Sequence, residues 1–452
     1  MKYDFDTPID RWNTGSYKWN IKPDELPMWV ADMDFKAAPE IIEAMEKRLE
    51  HGVFGYGTIP EEWHRSYMNW WRERHHFEIE KKWLVFCTGV VPAISSCVRK
   101  LTEPAENILV QTPVYNIFFN SIRNNGRNIL TSPLKLVDSP ESSRYGDADA
   151  GVNDTSKQCL GNGLHYEMDF EDLESKLSDP QTTLMLLCNP QNPSGQIWDR
   201  ETLERVGELC ARYNVTVLSD EIHCDITEPG TEYVPFASVS EVCRDNSVTC
   251  IAASKAFNLA GLQSAAVMIP NKNLRHKVWR ALNTDEVGEP NSFAITSTVA
   301  AFEKGGAWLD ELREYISGNR RLVRDYIREH IPKLRLVEGD ATYLLWIDAR
   351  EIRFNSLKAE LKTDGFLDAA VQNAIVNGEG TEKTVDAKIV ENIINSRNLA
   401  DFIRKETGLY LSAGEEYGAE GFLRMNVACP RAYVYDGLAR LEKGIRLLDN
   451  II

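Results

Sequence analysis

Two neighbouring stretches, TLMLLCNPQNPSG (Thr183–Gly195) and VTVLSDEIH (Val215–His223), decide the fold. Each opens as an almost unbroken apolar run, which predicts a strand buried on both faces. Each then turns abruptly polar. Between them Asp199 can accept a hydrogen bond from a first-turn N–H, which predicts a helix running to about Tyr213. Strand, helix and strand of this kind make a crossover between parallel strands.

Working outward, Trp83–Cys87, Ile108–Gln111, Val248–Ala252 and Ala265–Ile269 are further apolar strand segments, and Val90–Leu101 is a helix opened by the turn Thr88-Gly89. The chain is therefore expected to be α/β, a mostly parallel sheet covered by helices. After about residue 285 the character shifts. Asp310–His330 predicts a long amphipathic helix, Thr342–Ile347 a strand and Glu391–Glu406 another helix, together a smaller α+β domain. The expected organisation is an N-terminal segment (1–45) packing on the small domain, a large domain (46–285) and a small C-terminal domain (286–452). Two stretches look inserted: the Gly-, Ser- and Asp-rich 138–163, expected to be a surface loop, and about 353–397.

Of 452 residues, 51 are Lys or Arg and 68 Asp or Glu, a net charge of −17. That balance argues against a protein built to grip nucleic acid or an anionic membrane. No apolar run approaches the roughly 20 residues that span a bilayer, and the start MKYDFDTPID lacks the basic-then-apolar order of a signal peptide. Nine scattered cysteines without a C-x-x-C pair argue against a zinc ribbon or a disulfide framework. A reducing cytoplasm is the expected compartment.

Several catalytic and binding signatures are missing. The G-x-G triplets at Gly55, Gly161 and Gly378 carry Pro60, Tyr166 and Lys383 where a dinucleotide fingerprint needs its third glycine. There is no P-loop, H-E-x-x-H or G-x-S-x-G. Glu221, His223, Cys224 and Asp225 suggest a metal set, but alternate residues at a strand end point to opposite faces. No metal is expected.

Four polar segments are present, each at the end of a strand: TGVVPAI (88–94), NPQNPSG (189–195), SDEIH (219–223) and SKAFNLAGL (254–262). Ligands of open α/β sheets bind outside the carboxyl ends of the strands, so the four describe one site. Lys255, between small residues after a buried strand, is placed to be a desolvated amine able to attack an aldehyde. Asp220 ends an apolar strand and needs a cationic partner. Gly89 opens a helix whose free N–H groups from Val90 onward can hold a phosphate. Asn192, flanked by Pro190 and Pro193, offers a rigid amide to a phenolate oxygen. Taken singly, each has a plain structural explanation: a solvated lysine, a proline turn, a capping acid. Together, aldehyde, pyridinium, phenolate and phosphate describe pyridoxal phosphate.

The order and spacing of these motifs resemble the fold-type-I pyridoxal-phosphate (PLP) enzymes of the aminotransferase class I/II superfamily. PMWVADMDF (Pro27–Phe35), HGVFGYG (His51–Gly57), TPVY (Thr112–Tyr115) and FLRMNVACP (Phe422–Pro430) narrow the resemblance to the MalY/PatB type of cystathionine β-lyase. It spans nearly the whole chain apart from the two insertions. The resemblance implies a large α/β domain with a smaller α+β one, and gives roles to matching residues. Lys255 would bind the cofactor and move the Cα proton, and Asp220 would keep the pyridine nitrogen protonated. Asn192 would bond the phenolate oxygen, with His223 nearby, and Tyr115 would stack on the ring. Gly89, Val90 and Val91, with Ser254, would hold the phosphate, reached by Tyr56 of a second subunit in a homodimer. Arg424 would grip the substrate carboxylate, helped by the backbone near Ala31 and Asp32. The implied reaction is β-elimination from cystathionine or another cysteine S-conjugate, giving pyruvate, ammonia and a thiol. An aminotransferase shares the early steps, and a PLP-binding regulatory protein is a reading of another class. NPQNPSG departs from the family pattern in having Gln191 where His is common.

Overall fold

A computed structural model describes residues 2–139, 163–352 and 396–451. Its strands, in chain order, are β1 (Leu26–Pro27), β2 (Leu84–Cys87), β3 (Asn107–Val110), β4 (Asn128–Thr131), β5 (Lys135–Ser139), β6 (Gly163–Glu167), β7 (Thr182–Cys188), β8 (Thr216–Asp220), β9 (Ser247–Ile251), β10 (Ala265–Met268), β11 (Arg335–Leu336), β12 (Leu344–Asp348), β13 (Leu409–Tyr410), β14 (Ser412–Ala413) and β15 (Phe422–Asn426).

The apolar runs assemble into a seven-stranded sheet of order β2-β10-β9-β8-β7-β3-β4. Every residue of β9 and β10 is buried, and all but one of β7 and of β8. Burial on both faces is why these strands read as continuous apolar runs. The pairs β9·β8, β8·β7, β7·β3 and β3·β4 are parallel, whereas β10 is antiparallel to both β9 and β2. Hydrophobicity carries no direction, so Ala265–Met268 gave no hint of its reversal. The helix Val90–Leu101 forms as expected, and Asp199 caps Arg200–Arg212 through an N–H···O bond of 2.7 Å from Thr202.

Boundaries shift where local geometry intervenes. Trp83 falls in a 3-10 turn ahead of its strand. Thr342 takes φ 66°, and its hydroxyl accepts from the Leu344 N–H at 3.1 Å, so β12 starts two residues later than expected. The long helix opens at Gly306 instead of Asp310. Helices Pro39–Glu50 and Glu61–His75 precede the large sheet in the chain and pack against the helix Ala294–Lys304.

A second, antiparallel sheet has the order β11-β12-β15-β14. Ser396–Thr407 and Arg431–Ile451 are the helices of the C-terminal part. The N-terminal segment touches both halves, not the small one alone. β1 runs parallel to β13, but Phe5, Met33 and Phe35 share a core with Trp63, Phe86 and Phe257. The ends of the 138–163 insertion are strand, because Asp138 and Ser139 belong to β5 and pair antiparallel with Leu164 and Gly163 of β6. Residues 140–162 and 353–395, most of both insertions, lie outside the described residues. So do residues 391–395 of the helix expected over Glu391–Glu406.

Because β2, β9, β8, β7 and β3 point the same way, their carboxyl ends share one edge. Gly89, Lys255, Asp220, Asn192 and Tyr115 all sit there, and β15 approaches from the smaller sheet.

Candidate active site

At this edge the Lys255 amine is half-buried, and Nζ donates to the Ala31 carbonyl at 2.6 Å. Burial, with Arg424 close by, pulls its pKa down to about 8, against the opposing pull of Asp32 and Asp220. An amine in this state is a nucleophile near neutral pH. Asp220, the last residue of β8, is buried, and among the described residues its carboxylate accepts only the Ile222 N–H at 3.1 Å. Burial pushes its pKa up to about 6. The cationic partner expected from the sequence is not a hydrogen-bonded side chain; Lys255 acts on it only through space.

Arg424 sits mid-strand in β15 and is buried, yet no carboxylate among the described residues pairs with it. Its guanidinium donates to the Trp29 carbonyl at 2.8 Å and to Asn192 Oδ1 at 3.2 Å, lies over the Tyr417 ring at 4.6 Å, and leaves Nε without a partner. With Oδ1 of Asn192 thus engaged, the side chain's remaining capacity is its two N–H donors. His223 is buried with Nδ1 unpartnered, and burial beside Lys255 and Arg424 pulls its pKa down to about 3, so the imidazole is neutral. Tyr115 is half-buried near Asp220 and Arg424, and burial raises its phenol to about 12.

Gly89 precedes the helix Val90–Leu101, whose first N–H groups, those of Val90 and Val91, have no intrahelical acceptor. Ser254 is half-buried beside Lys255. The carbonyls of Ala31 and Asp32 are occupied, the first by Lys255 and Tyr343, the second by Lys18 and Asn426. A substrate carboxylate would therefore use their N–H groups. Tyr56 is fully exposed, and so contributes nothing to the site of its own chain.

Of the four residues weighed as a metal set, only Cys224 and Asp225 come together, and with His75, a residue sequence reasoning did not consider. Asp225 Oδ1 already accepts from Trp70 Nε1 (2.8 Å) and His75 Nε2 (2.9 Å). Glu221 faces elsewhere, holding Ser219, Tyr233 and the Phe236 N–H. Sequence reasoning also missed Tyr343 and Asn426. Tyr343 stands in no motif that marks it, whereas Asn426 lies within FLRMNVACP, two residues after Arg424, and so shares its face of the strand.

These groups meet the demands of pyridoxal phosphate set out above. A lysine amine of lowered pKa, a carboxylate with one weak partner, an amide with free donors and an open helix N-terminus gather at one sheet edge, and an orphaned imidazole nitrogen and guanidinium Nε lie beside them.

Comparison with known proteins agrees with this geometry. The sequence profile of the family described as "Aminotransferase class I and II" matches residues 24–441. Cystathionine beta-lyase PatB of Bacillus subtilis is 37% identical over 98% of this chain and 99% of its own length. Protein MalY of Escherichia coli K12 is 30% identical over 98% and 99%. Among solved structures, cystalysin from Treponema denticola, which contains a pyridoxal 5'-phosphate cofactor, superposes with a TM-score of 0.81 at 28% identity, covering 99% of this chain and 100% of that one.

Proposed function

The chain belongs to the aminotransferase class I and II family, and we propose that it is a PLP-dependent carbon–sulfur β-lyase. Its substrate would be cystathionine or another cysteine S-conjugate, cleaved to pyruvate, ammonia and a thiol. The observation that carries this reading is the buried Arg424, without a carboxylate of its own and beside Asn192 in the Lys255 cleft. A buried guanidinium left unpaired is costly, and the α-carboxylate of an amino acid supplies the missing partner as a bidentate pair. End-to-end similarity to a cystathionine beta-lyase supports the lyase reading over transamination.

When bound, PLP withdraws electrons from the substrate Cα, which lets the Cα–H bond ionise and the Cβ–S bond break. The chain's residues supply the rest. Arg424, with the N–H groups of Ala31 and Asp32, orients the carboxylate and so turns the Cα–H bond toward Lys255. The Lys255 amine removes that proton and holds it at Nζ. Asp220 would keep a proton on the ring nitrogen, and Asn192 would donate to the phenolate oxygen beside His223. The Tyr115 ring covers the site and excludes water. Val90 and Val91, after Gly89, offer N–H groups to the phosphate, joined by the Ser254 hydroxyl.

Tyr56 supports a homodimer. It is fully exposed in a stretch where Val53 and Phe54 are also exposed, a surface suited to a second copy. In that assembly Tyr56 reaches the neighbour's phosphate. The eight described cysteines are free, which supports a cytoplasmic setting. The described residues contain no helix long and apolar enough to cross a membrane.

The test uses cystathionine without any keto acid, following pyruvate and free thiol. Sustained release of both is expected. Rapid amino transfer to added keto acids with no pyruvate would overturn the lyase reading.

A further inference from the structure

We infer that residues 29–32 form a strap of four fixed carbonyls whose third member, that of Ala31, docks and tunes the free Lys255 amine, and that Tyr343 and Asn426 are the positioning residues that set it. This deepens the proposed function, since it rests on Lys255 being the amine that moves the proton.

The strap is held one carbonyl at a time. Arg424 donates to Trp29 O at 2.8 Å. Asn426 Nδ2 donates to both Val30 O (2.5 Å) and Asp32 O (2.6 Å). Its own Oδ1 accepts from the Ala428 N–H at 2.8 Å, which fixes which end of the amide faces the strap. Tyr343 donates to Ala31 O at 3.0 Å. Both ends are pinned as well: the Met28 N–H donates to Tyr410 O at 2.9 Å, and Met33 exchanges bonds of 3.0 Å with Asn258. The outcome is one carbonyl oxygen carrying two donors, a phenol and the Lys255 amine at 2.6 Å.

Such an oxygen does two things for an amine that must take a proton from one direction. With one N–H committed to Ala31 O, rotation about Cε–Nζ is restricted and the lone pair keeps a fixed heading. The phenol bond draws on the same oxygen, making it a weaker acceptor for the ammonium form. Tyr343 is buried, and burial drives its phenol far above neutrality, so it remains a neutral donor. The other groups facing Lys255 are Asp220 and Asp32, which favour the ammonium, and Arg424, which opposes it. His223 is neutral. Among the described residues, the acceptor that Nζ is hydrogen-bonded to is Ala31 O.

The two positioning residues are expected to act with opposite sign. Removing the phenol in Tyr343→Phe leaves the carbonyl in place but with a single donor, so the ammonium is held more tightly. Releasing the flanks in Asn426→Ala lets the carbonyl drift and the ammonium lose its acceptor. Competitive acetylation of the full chain without added PLP, read at the Lys255 peptide by mass spectrometry from pH 6 to 11, gives the titration midpoint of that amine. The midpoint should rise by about half to one unit in Tyr343→Phe and fall by a similar amount in Asn426→Ala, the size of one hydrogen bond. In the PLP-loaded enzyme, kcat of Tyr343→Phe should drop up to about tenfold with KM within about twofold, as expected when a tighter hold on the ammonium form leaves less free amine to take the Cα proton. Equal midpoints in all three proteins, or shifts of the same sign, would overturn the inference even if activity fell. Opposite shifts in a chain that cleaves no cysteine conjugate would uphold the strap and sink the lyase. Circular dichroism checks that each variant folds, and Tyr343→Phe alone suffices should Asn426→Ala not fold.

Discussion

Asp34 and Asp220 are both buried carboxylates, and the protein treats them in opposite ways. Asp34, in the N-terminal clamp, accepts from Arg11 (2.6 Å), Lys18 (2.6 Å) and the Trp19 indole (2.8 Å). Lys18 is itself 1% exposed, and its ammonium is held by Asp34 and the Asp32 carbonyl. At the sheet edge Asp220 has one backbone N–H, His223 Nδ1 has nothing, and Arg424 has a carbonyl, an amide and an idle Nε. The Asp34 charge is saturated within the chain. Charge buried for chemistry is left partly unspent, and only a ligand completes it.

The largest test of that contrast falls on the unsaturated side. Lys255→Ala should lower pyruvate release from cystathionine at least about 1,000-fold and abolish the visible absorbance formed with PLP, since both amine functions disappear; retained absorbance would sink the cofactor assignment. On the saturated side, Asp34→Ala leaves the buried Lys18 with only its longer contacts to Asp32 and should cost about 3 kcal/mol in urea unfolding. Arg424→Met sharpens the comparison, because it removes an equally buried charge that has no carboxylate. Its kcat/KM should fall about 100-fold, mostly through KM, with a melting temperature no lower than the parent's; a large thermal loss would place Arg424 with the architectural charges. The last test concerns Asp220. Its folded-state pKa of about 6 lies above its ordinary 3.8, so without PLP the folded chain binds a proton more tightly than the unfolded one. Stability from this group is present at low pH and lost as pH rises from about 4 through 6. Asp220→Asn should therefore gain up to about 3 kcal/mol over the parent at pH 7, shrinking to well under 1 kcal/mol by about pH 4. A pH-independent difference in urea midpoints would contradict this.

The sequence made much of the site legible because its residues lie where apolar runs stop. Asp220, Asn192 and Lys255 are read from the break in hydrophobicity, and a strand buried on both faces writes that break plainly. Arg424 was legible for a related reason, a cation amid Phe422, Leu423, Met425 and Val427. What stayed hidden depends on partners distant in the chain. Tyr343 is one more aromatic before a strand until its hydroxyl is seen on Ala31 O. His75 ends a helix with nothing local to say that it bonds Asp225, 150 residues later. The reversal of Ala265–Met268 is hidden because burial pattern is blind to strand direction. The N-terminal segment misled for the same reason: its aromatics show that it packs, but not that Phe5 and Phe35 find the large core while Leu26–Pro27 pairs with β13.

The strap also sets a timetable for synthesis. Its carbonyls leave the ribosome with the first 32 residues, whereas Tyr343, Arg424 and Asn426 emerge only near the end. At 5–20 residues per second, that gap is roughly 20–80 s for Asn426. Through that interval Trp19 and Trp29 precede Tyr433 and Tyr410, the C-terminal rings that receive them, so the nascent chain carries a sticky leading end. The finished sheet can hold Lys255 and Asp220 earlier, but the amine gains its docking carbonyl only with the last strand. Truncations at the C-terminus should therefore silence the enzyme even where the large sheet has folded, and chaperones should meet this chain by its beginning.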